Sequence, residues 1–340
     1  MKPAADTLGL EGTYTDPVWK ITVRLSALER HLLRTWWVRR LQFIAHAGAA
    51  ATVTTQSYSR LEHSLGVLAL VAHFHPADQL ARAAALVHDI GHLPFSHTFE
   101  GLAGLNHHHL GSQRLEALAP VLDLHGLDAV QVDDSAQGAS PGPLTAAAGL
   151  LSLDHLDSFV RSARSHGRLE EDPRQLLNRL RLLEGAVSTD AATAGQLAAL
   201  VIAEVRSQTA AVNVLATAVM RHWAGLVLDD AAPHQRAAVA AMTDDEFWAL
   251  LRADERTAGD VEQFRRNPQQ WSVTRQETAT PASGVGDSPA GIAHRIERLY
   301  LTLPLVEGRN TGCAATTFAD LPSPPLHYVI ARTPPPAGEQ

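Results

Sequence analysis

Apolar residues recur every three to four positions along much of the chain, which is the spacing of one face of an α-helix. Alanine and leucine dominate, and strand-forming residues are thinly spread. The helical spacing is clearest over residues 25–44, 65–71, 80–87 and 197–205. We therefore predict an all-α fold, built as a helical bundle.

Polar and helix-breaking residues predict where these helices begin and end. Asp78 stands just before the helix predicted at 80–87, so its side chain is expected to cap the first turn. Gly91 and Pro94 follow the same helix and are expected to end it. Residues 131–143 are polar and rich in Gly, Ser and Pro, and this composition predicts a loop.

A second segment rich in helix breakers, residues 278–290, divides the chain into two predicted parts. Residues 1–277 are expected to form the main helical domain. Residues 278–340 are expected to form a smaller C-terminal extension, helical or irregular, with a proline-rich tail from residue 322.

Composition is that of an ordinary soluble domain, with 45% hydrophobic and 19% charged residues in a chain of 340. The net charge of -8 gives no general attraction to nucleic acid or anionic lipid, so any phosphate site must be built locally. The single Cys313 excludes a disulfide framework or a cysteine-based zinc cluster. With no signal-like start and no uninterrupted apolar run of membrane-spanning length, we expect a soluble, cytoplasmic protein with no membrane partner.

The segment from Val87 to His97 carries the densest candidate chemistry, with three histidines and one carboxylate in eleven residues. Adjacent His88 and Asp89 offer a neutral nitrogen and an anionic oxygen, a pair suited to a divalent metal. Two ligands are too few for a site, and His63 upstream and Asp154 downstream are the expected partners.

This order of a histidine, a His-Asp pair and a distant aspartate resembles the HD-domain phosphohydrolase superfamily. The phrases Ser-Arg-Leu-Glu-His-Ser-Leu-Gly-Val and His-Asp-Ile-Gly-His-Leu-Pro-Phe-Ser-His look like its dNTP triphosphohydrolase branch. The resemblance implies an all-helical HD fold around one divalent ion, of Mn, Fe, Mg, Ni or Zn. It also implies a nucleotide or related phosphate ester as substrate and a homo-oligomer, either a dimer or a larger assembly.

Further site residues are expected near these ligands. His92 follows His88 by four residues, and in the resembled family this histidine acts in acid/base or phosphate-stabilising roles. Counting back from Ser112 in a family-like segment makes His108 a second catalytic candidate. Arg60 precedes His63 by three residues, so its guanidinium is expected to bind phosphate, with a surface ion pair as the alternative.

The helix expected to carry Asp154 also presents Asp157 and Arg161 on roughly the same face. These two are expected to order the site or contact substrate, although their spacing also suits a purely structural ion pair. His155 stands where the resembled family commonly places a cation against phosphate. His46 stands where that family has a glutamine that reads the sugar hydroxyl, which makes it a substrate-binding candidate.

Several substrate contacts of the resembled family are replaced here. Ser158 and Ser162 stand in place of a tyrosine and an aspartate that contact the deoxyribose, and the segment at 212–216 lacks a phosphate-binding lysine. Loss of such contacts is expected to relax or redirect specificity.

The leading hypothesis is a metal-dependent phosphohydrolase, with a dNTP triphosphohydrolase of altered specificity as its narrower form. Two alternatives stay open. The altered contacts suit a regulatory protein that binds a nucleotide without turnover. An HD-fold di-iron oxygenase would need extra ligands, which could come from His92, His107, His108 and His109.

Overall fold

The computed structural model describes residues 12–139, 142–277, 291–311 and 314–332. The described part is mostly helical, as predicted. Its helices are α1 Ala27–Leu32, α2 Trp36–Arg40, α3 Arg60–Phe74, α4 Gln79–Val87, α5 His107–Asp123, α6 Ala129–Gln137, α7 Leu153–Ser165, α8 Pro173–Leu177, α9 Ala191–Gln208, α10 Ala211–Leu228, α11 Pro233–Ala241, α12 Asp244–Ala253, α13 Ala258–Arg266 and α14 Ala314–Thr317.

The strands correct the strictly all-α expectation, because three small sheets accompany the helices in the described part of the chain. The strands are β1 Thr13–Thr15, β2 Thr22–Arg24, β3 Arg181–Leu183, β4 Ala186–Thr189, β5 Trp271–Gln276, β6 Ile292–Ile296, β7 Leu305–Val306 and β8 Leu326–Arg332. Strand β1 pairs with β2, strand β4 lies between β3 and β7, and β8 lies between β5 and β6. All of these pairings are antiparallel except the parallel pair of β4 and β7.

The helix predictions are confirmed where the apolar pattern is densest, but they are wrong in the segments 25–44 and 131–143. Asp78 caps α4 as predicted, by accepting a hydrogen bond from Ala81 N at 2.9 Å. The segment 25–44 is broken into α1, α2 and a 3₁₀ turn. The break lies at Thr35, whose backbone is extended and whose hydroxyl donates to Leu32 O.

The predicted loop at 131–143 was wrong over its first half, because α6 continues to Gln137. Asp128 caps this helix through Gln131 N, and Val132 is fully buried against the bundle. Tertiary packing of one apolar residue and a good N-cap therefore outweigh a polar composition. The chain leaves the helix only at Gly138, which has a left-handed backbone (φ 73°).

Where the structure describes it, the C-terminal extension contains strands β6, β7 and β8 and the short helix α14, joined by irregular segments, so the strands are the feature that the prediction omitted. Leu326, Tyr328 and Ile330 of β8 are buried at every second position, which is the period of a half-buried strand. Strand β5 lies before the predicted boundary and pairs with β8 beyond it, so one sheet spans both predicted parts. The division into two domains stays a prediction, while residues 278–290, Cys313 and the tail from residue 333 lie outside the described residues.

Among the described residues, the buried apolar side chains form two clusters, named here the first core and the second core. The first core joins α1 to α9, and the second joins α10 to α13 with the sheet of β5, β8 and β6. Leu93, Phe95 and Phe99 follow α4 in the chain but are buried in the second core. The loop after His88 and Asp89 therefore leaves the first core and is anchored in the second.

Helix α10 is long and apolar enough to cross a membrane, judged by length and composition alone. In the structure it packs against the second core, and its Trp223 is 1% exposed. That environment is typical of the central helix of a soluble protein. The cytoplasmic location stays a prediction.

Candidate metal centre

His63 and Asp154 meet because two capped helices aim them at one point. Helix α3 begins at Arg60, where Ser59 and Glu62 form a reciprocal capping box. This places the buried His63 in the first turns of α3. Asp154 lies in the first turn of α7, which Ser152 caps. His63 Nε2 lies 2.9 Å from Asp154 Oδ1.

His88 and Asp89 come from the C-terminal end of α4, as predicted. His88 is the C-cap, and its Nδ1 faces Ala85 O at 3.0 Å, which leaves Nε2 as the available ligand atom. This Nε2 lies 3.4 Å from Asp89 Oδ1 and 3.8 Å from Asp154 Oδ1. It is buried and has no hydrogen-bond partner among the described residues.

The arrangement fits a divalent metal ion. Ligand atoms of His63, His88 and Asp154 all lie within 4.8 Å of one another, and the Asp89 carboxylate adjoins them through His88. A buried nitrogen without a partner is costly, and an ion between these groups would satisfy it. Two imidazoles and two carboxylates suit Mn, Fe, Ni or Zn. The four predicted ligands are thus brought together, and their coordination of a metal stays a prediction.

Asp157 lies behind His63 rather than in open space beside it. Its carboxylate is fully buried and accepts from His63 Nδ1 at 2.8 Å and from Trp19 Nε1 at 2.7 Å. Arg161 donates to the same carboxylate from Nε and Nη2, and also to Asp16 at 2.8 Å. A carboxylate on the far nitrogen of a ligating histidine fixes the ring's orientation and tautomer. Asp157 and Arg161 are therefore placed to orient His63, and neither reaches an exposed surface.

Gly66 explains how α7 can approach α3 this closely. A Cβ added at Gly66 would lie 2.0 Å from Arg161 Nη2 and 2.2 Å from Asp157 Oδ1. Any side chain at this position would displace the ion pair behind His63. The glycine is thus a packing requirement of the site.

The charges of the centre hold its groups in defined protonation states. Burial alone would lower the pKa of His63, but hydrogen bonds to Asp154 and Asp157 raise it to about 9. Burial opposes ionisation of Asp154, yet His63 and His88 hold its pKa well below the usual range. The pKa of Asp89 is likewise lowered against burial, chiefly by Arg60. Both carboxyl groups are therefore anionic, as metal ligands must be.

The Arg60 guanidinium donates three hydrogen bonds within the protein. It donates from Nη1 to Asp89 Oδ2 at 3.0 Å, from Nε to Ser96 Oγ at 2.9 Å and from Nη2 to His46 O at 3.3 Å. The surface ion pair with Glu62 is not formed, because Glu62 caps α3. Arg60 lies beside the centre as expected, and its contact with phosphate stays a prediction.

His92 stands next to the predicted ligands, although α4 does not continue to it. Its Nε2 lies 3.0 Å from Asp89 Oδ1, while the buried Nδ1 has no hydrogen-bond partner among the described residues. Burial and then the Arg60 charge hold the pKa of His92 well below its ordinary value. The ring is therefore neutral, with its proton toward Asp89 and a free lone pair on Nδ1.

The rings next to His92 are those of His97, with centroids 4.5 Å apart, and of His107, while the catalytic role of His108 stays a prediction. Asn106 caps α5, so His107 becomes the first helical residue and its ring stacks on His92 with centroids 4.7 Å apart. His107 Nδ1 lies 2.6 Å from Glu100 Oε2. His108 points to the exposed side. A Cβ at Gly91 would lie 2.0 Å from His107 O, so this glycine permits the close approach.

His92, His97 and His107 form a second group of potential ligand atoms within 4.8 Å. The rings of His92 and His107 are nearly parallel, with 8° between their planes. A metal binds in the plane of each imidazole, so two stacked rings cannot share one ion without rotating. The group is better suited to accepting hydrogen bonds beside the candidate metal centre, since burial lowers the pKa of both His92 and His97.

His46 and His155 flank the centre. The His46 ring lies edge-on to His63 and stacks on Tyr58, with its Nδ1 2.9 Å from the Tyr58 hydroxyl. Ser158 Oγ lies 3.5 Å from His46 Nε2. The ring of His155 packs between Phe159 and Tyr300, and its Nδ1 is buried without a partner among the described residues. The substrate-binding roles of both histidines stay predictions.

The residues that sequence reasoning missed are those that support the ligands from distant positions. Asp16 and Trp19 complete the network behind His63, and Ser96 orients Arg60. Glu100 holds His107. The position of Ser96 within the motif was one available signal, but nothing in the sequence pairs Asp16 with Arg161, which is 145 positions away.

The comparisons with known proteins agree with this geometry. Residues 60–184 match the family model of the HD domain, a range that includes all four predicted ligands. A curated relative named deoxynucleoside triphosphate triphosphohydrolase SAMHD1 homolog, from Dictyostelium discoideum, is 32% identical over 115 residues, which cover 28% of this chain and 22% of that protein. The uncharacterized protein YwfO of Bacillus subtilis is 34% identical over 113 residues, 29% of this chain and 26% of the relative. The chain thus spans about a quarter of the length of the curated relatives it matches.

Solved structures extend the likeness of fold over nearly the whole chain. A phosphohydrolase from Bacteroides thetaiotaomicron has a TM-score of 0.67 at 15% identity and covers 95% of this chain and 99% of its own. A hypothetical protein from Aquifex aeolicus has a TM-score of 0.68 at 17% identity, with 94% and 96% covered. The likeness to these two structures shows a shared fold, and the HD domain match covers residues 60–184.

Proposed function

We propose that the protein is a metal-dependent phosphohydrolase that acts on nucleotides. The observation that carries this proposal is the convergence of His63, His88 and Asp154 within 4.8 Å, with His88 Nε2 buried and unpartnered. The HD domain match and the fold shared with a phosphohydrolase support the hydrolase class. The narrower choice of a dNTP triphosphohydrolase is supported by the name of the Dictyostelium relative.

The four proposed ligands are His63, His88, Asp89 and Asp154. A divalent ion bound there would polarise a phosphate oxygen and lower the pKa of a coordinated water. Asp157 keeps His63 oriented through the 2.8 Å hydrogen bond to Nδ1. Arg60 keeps Asp89 anionic and fixed. We propose that His92, whose Nδ1 has no hydrogen-bond partner among the described residues, accepts a proton during hydrolysis.

The altered sugar contacts direct the proposal toward changed specificity. Ser162 Oγ accepts from Gln56 Nε2 at 3.0 Å and donates to Glu204 at 2.5 Å, and it is 1% exposed. This residue is therefore committed to the packing of α7 on α9 and is unavailable to a sugar. We assign recognition next to the centre to His46, whose ring centroid lies 4.7 Å from that of His63, and to Ser158, whose Oγ lies 3.5 Å from His46 Nε2. We propose a nucleotide substrate whose sugar is read less strictly than in the resembled branch.

The test is a product assay on protein loaded with Mn²⁺. Deoxynucleoside and ribonucleoside triphosphates, nucleoside monophosphates and a simple aryl phosphate are supplied separately, and phosphate, pyrophosphate and tripolyphosphate are measured. We expect metal-dependent release from at least one nucleotide and a loss of at least about 100-fold in Asp154→Asn. The control variant is His109→Asn, an exposed histidine on α5, which is expected to retain wild-type activity.

Three outcomes would contradict the proposal. No product from any substrate with any of Mn²⁺, Mg²⁺, Ni²⁺ or Zn²⁺ would refute hydrolysis. Tight nucleotide binding without turnover would favour the regulatory alternative. Two irons per chain with oxygen-dependent turnover would favour the oxygenase alternative.

A further inference from the structure

The loop that follows the His-Asp pair, residues 90–96, contains two strained residues. Phe95 and Ser96 both have φ of +54°, in the left-handed region that side-chain-bearing residues rarely adopt. Such strain persists only where surrounding contacts hold it. The loop also carries His92 and, through Ser96, orients Arg60. The contacts that hold loop 90–96 are therefore part of the construction of the site.

A single carboxylate joins this loop to the segment that carries His46. Asp244 Oδ1 accepts from Phe95 N at 2.6 Å, and its Oδ2 accepts from Ala45 N at 2.8 Å. Asp244 is the first residue of α12 and belongs to the second half of the chain. Both carboxylate oxygens are thus engaged by backbone amides of two segments next to site residues.

Two buried arginines bind the carbonyls of the same loop. Arg40 donates to His92 O at 2.8 Å and to Ala241 O at 2.8 Å. Arg114 donates to Ile90 O at 2.5 Å and to Ala240 O at 2.6 Å. The C-terminal carbonyls of α11 and the carbonyls of loop 90–96 therefore share the same guanidinium groups. The short turn between α11 and α12 is tied to the loop on both sides.

We infer that Asp244 is a positioning residue of the site, which holds loop 90–96 and the Ala45–His46 segment in register through its two carboxylate oxygens. The path runs from Asp244 to Phe95 N, through the adjacent Ser96 to Arg60, and from Arg60 to Asp89. An amide cannot replace the carboxylate, because asparagine has one accepting oxygen and its NH₂ would face the second backbone N–H. Helix α12 thus sets the geometry of a site to which it contributes no ligand.

The experiment compares Asp244→Asn with Asp245→Asn, the adjacent carboxylate in the same first turn of α12. Both variants lose one negative charge near the helix N-terminus, so their common effect on helix stability cancels. Because a small misplacement near reacting groups can cost about 100-fold in rate, we expect kcat of Asp244→Asn to fall about 10- to 100-fold with KM within about threefold. Asp245→Asn is expected to stay within about twofold of wild type. Rates are measured on the best nucleotide at a temperature well below the Tm of each variant.

The activity arm rests on the proposed function, so a second arm is independent of turnover. Amide hydrogen exchange is followed by mass spectrometry in peptides that contain Ala45 and Phe95. We expect at least about tenfold faster exchange at these peptides in Asp244→Asn and no change in Asp245→Asn. Wild-type protein that is inactive on every substrate would refute the proposed function, while the exchange result would still decide the role of Asp244.

Two results would overturn the inference. Equal exchange and equal kcat in the two variants would show that Asp244 does not hold loop 90–96 or the Ala45–His46 segment in position. A loss of activity in Asp244→Asn that returns fully on cooling, with wild-type exchange at both peptides, would show that the residue contributes to stability alone.

Discussion

Asp157→Asn tests whether the buried carboxylate behind His63 supports metal binding. The wild-type carboxylate accepts four hydrogen bonds, one each from His63 and Trp19 and two from Arg161. Asparagine has nearly the same shape but keeps only one accepting oxygen, and its NH₂ faces donors. In either orientation of the amide the substitution removes one acceptor of Arg161, together with the acceptor of His63 Nδ1 or of Trp19 Nε1, without changing the volume of the side chain.

The expected effect of Asp157→Asn has two parts, a loss of metal affinity and a loss of folding stability. Loss of an orienting partner of a metal ligand costs about 10- to 100-fold in affinity, which corresponds to about 1.4 to 2.7 kcal/mol. Removal of one partner of a buried ion pair costs about 3 to 5 kcal/mol of unfolding free energy. The lower end of this range applies here, because Asp16 still pairs with Arg161 at 2.8 Å. We therefore expect Mn²⁺ to bind 10- to 100-fold more weakly and the metal-free protein to lose about 3 kcal/mol of unfolding free energy.

Mn²⁺ affinity is measured by calorimetry and stability by urea unfolding in the presence of a chelator. Asp134→Asn, an exposed aspartate on α6, is the control and is expected to match wild type in both measurements. A folded Asp157→Asn protein that binds Mn²⁺ within twofold of wild type would refute the reasoning. In that case the network of Asp157, Arg161 and Asp16 would serve the fold alone.

Three further outcomes are expected. The pKa of metal-free His63 is about 9, because hydrogen bonds to Asp154 and Asp157 outweigh burial. This folded-state pKa exceeds the unfolded value of about 6.5, so protonated His63 stabilises the fold fully below about pH 6.5, and this stabilisation is lost as the pH rises through about 9. The unfolding free energy should fall by about 3 kcal/mol over this range, and His63→Asn should abolish the pH dependence. In thermal unfolding, Gly66→Ala should destabilise the protein by at least about 2 kcal/mol through overpacking, since its Cβ would lie 2.0 Å from Arg161 Nη2. The control Gly195→Ala in α9 meets nothing within 4 Å and should be neutral or stabilising. Trp19→Phe removes one donor to Asp157 and should cost about 1 kcal/mol in the same measurement, and an unchanged Tm would contradict the assigned hydrogen bond.

The helices of the first core could be predicted because their stability comes from local rules. Apolar spacing and good caps act within a few residues, and Asp78 caps α4 as the sequence indicates. The same local rules failed where tertiary contacts determine the secondary structure. Polar α6 forms against its neighbours, and β8 becomes a strand because β5 and β6 pair with it on either side. No local pattern reveals a partner 59 residues away, such as Ser272 for Ala331.

The sequence by itself, through residue type, order and the family resemblance, was enough to predict His63, His88, Asp89 and Asp154 as the ligand set, and their coordination of a metal stays a prediction. Only the tertiary structure decided what surrounds them. It placed His107 rather than His108 against His92, because the Asn106 cap sets where α5 begins. It also turned Asp157 inward to His63 and brought Asp244 to loop 90–96. The physical reason is that ligand chemistry belongs to a side chain, whereas orientation and burial depend on helices packed from distant parts of the chain.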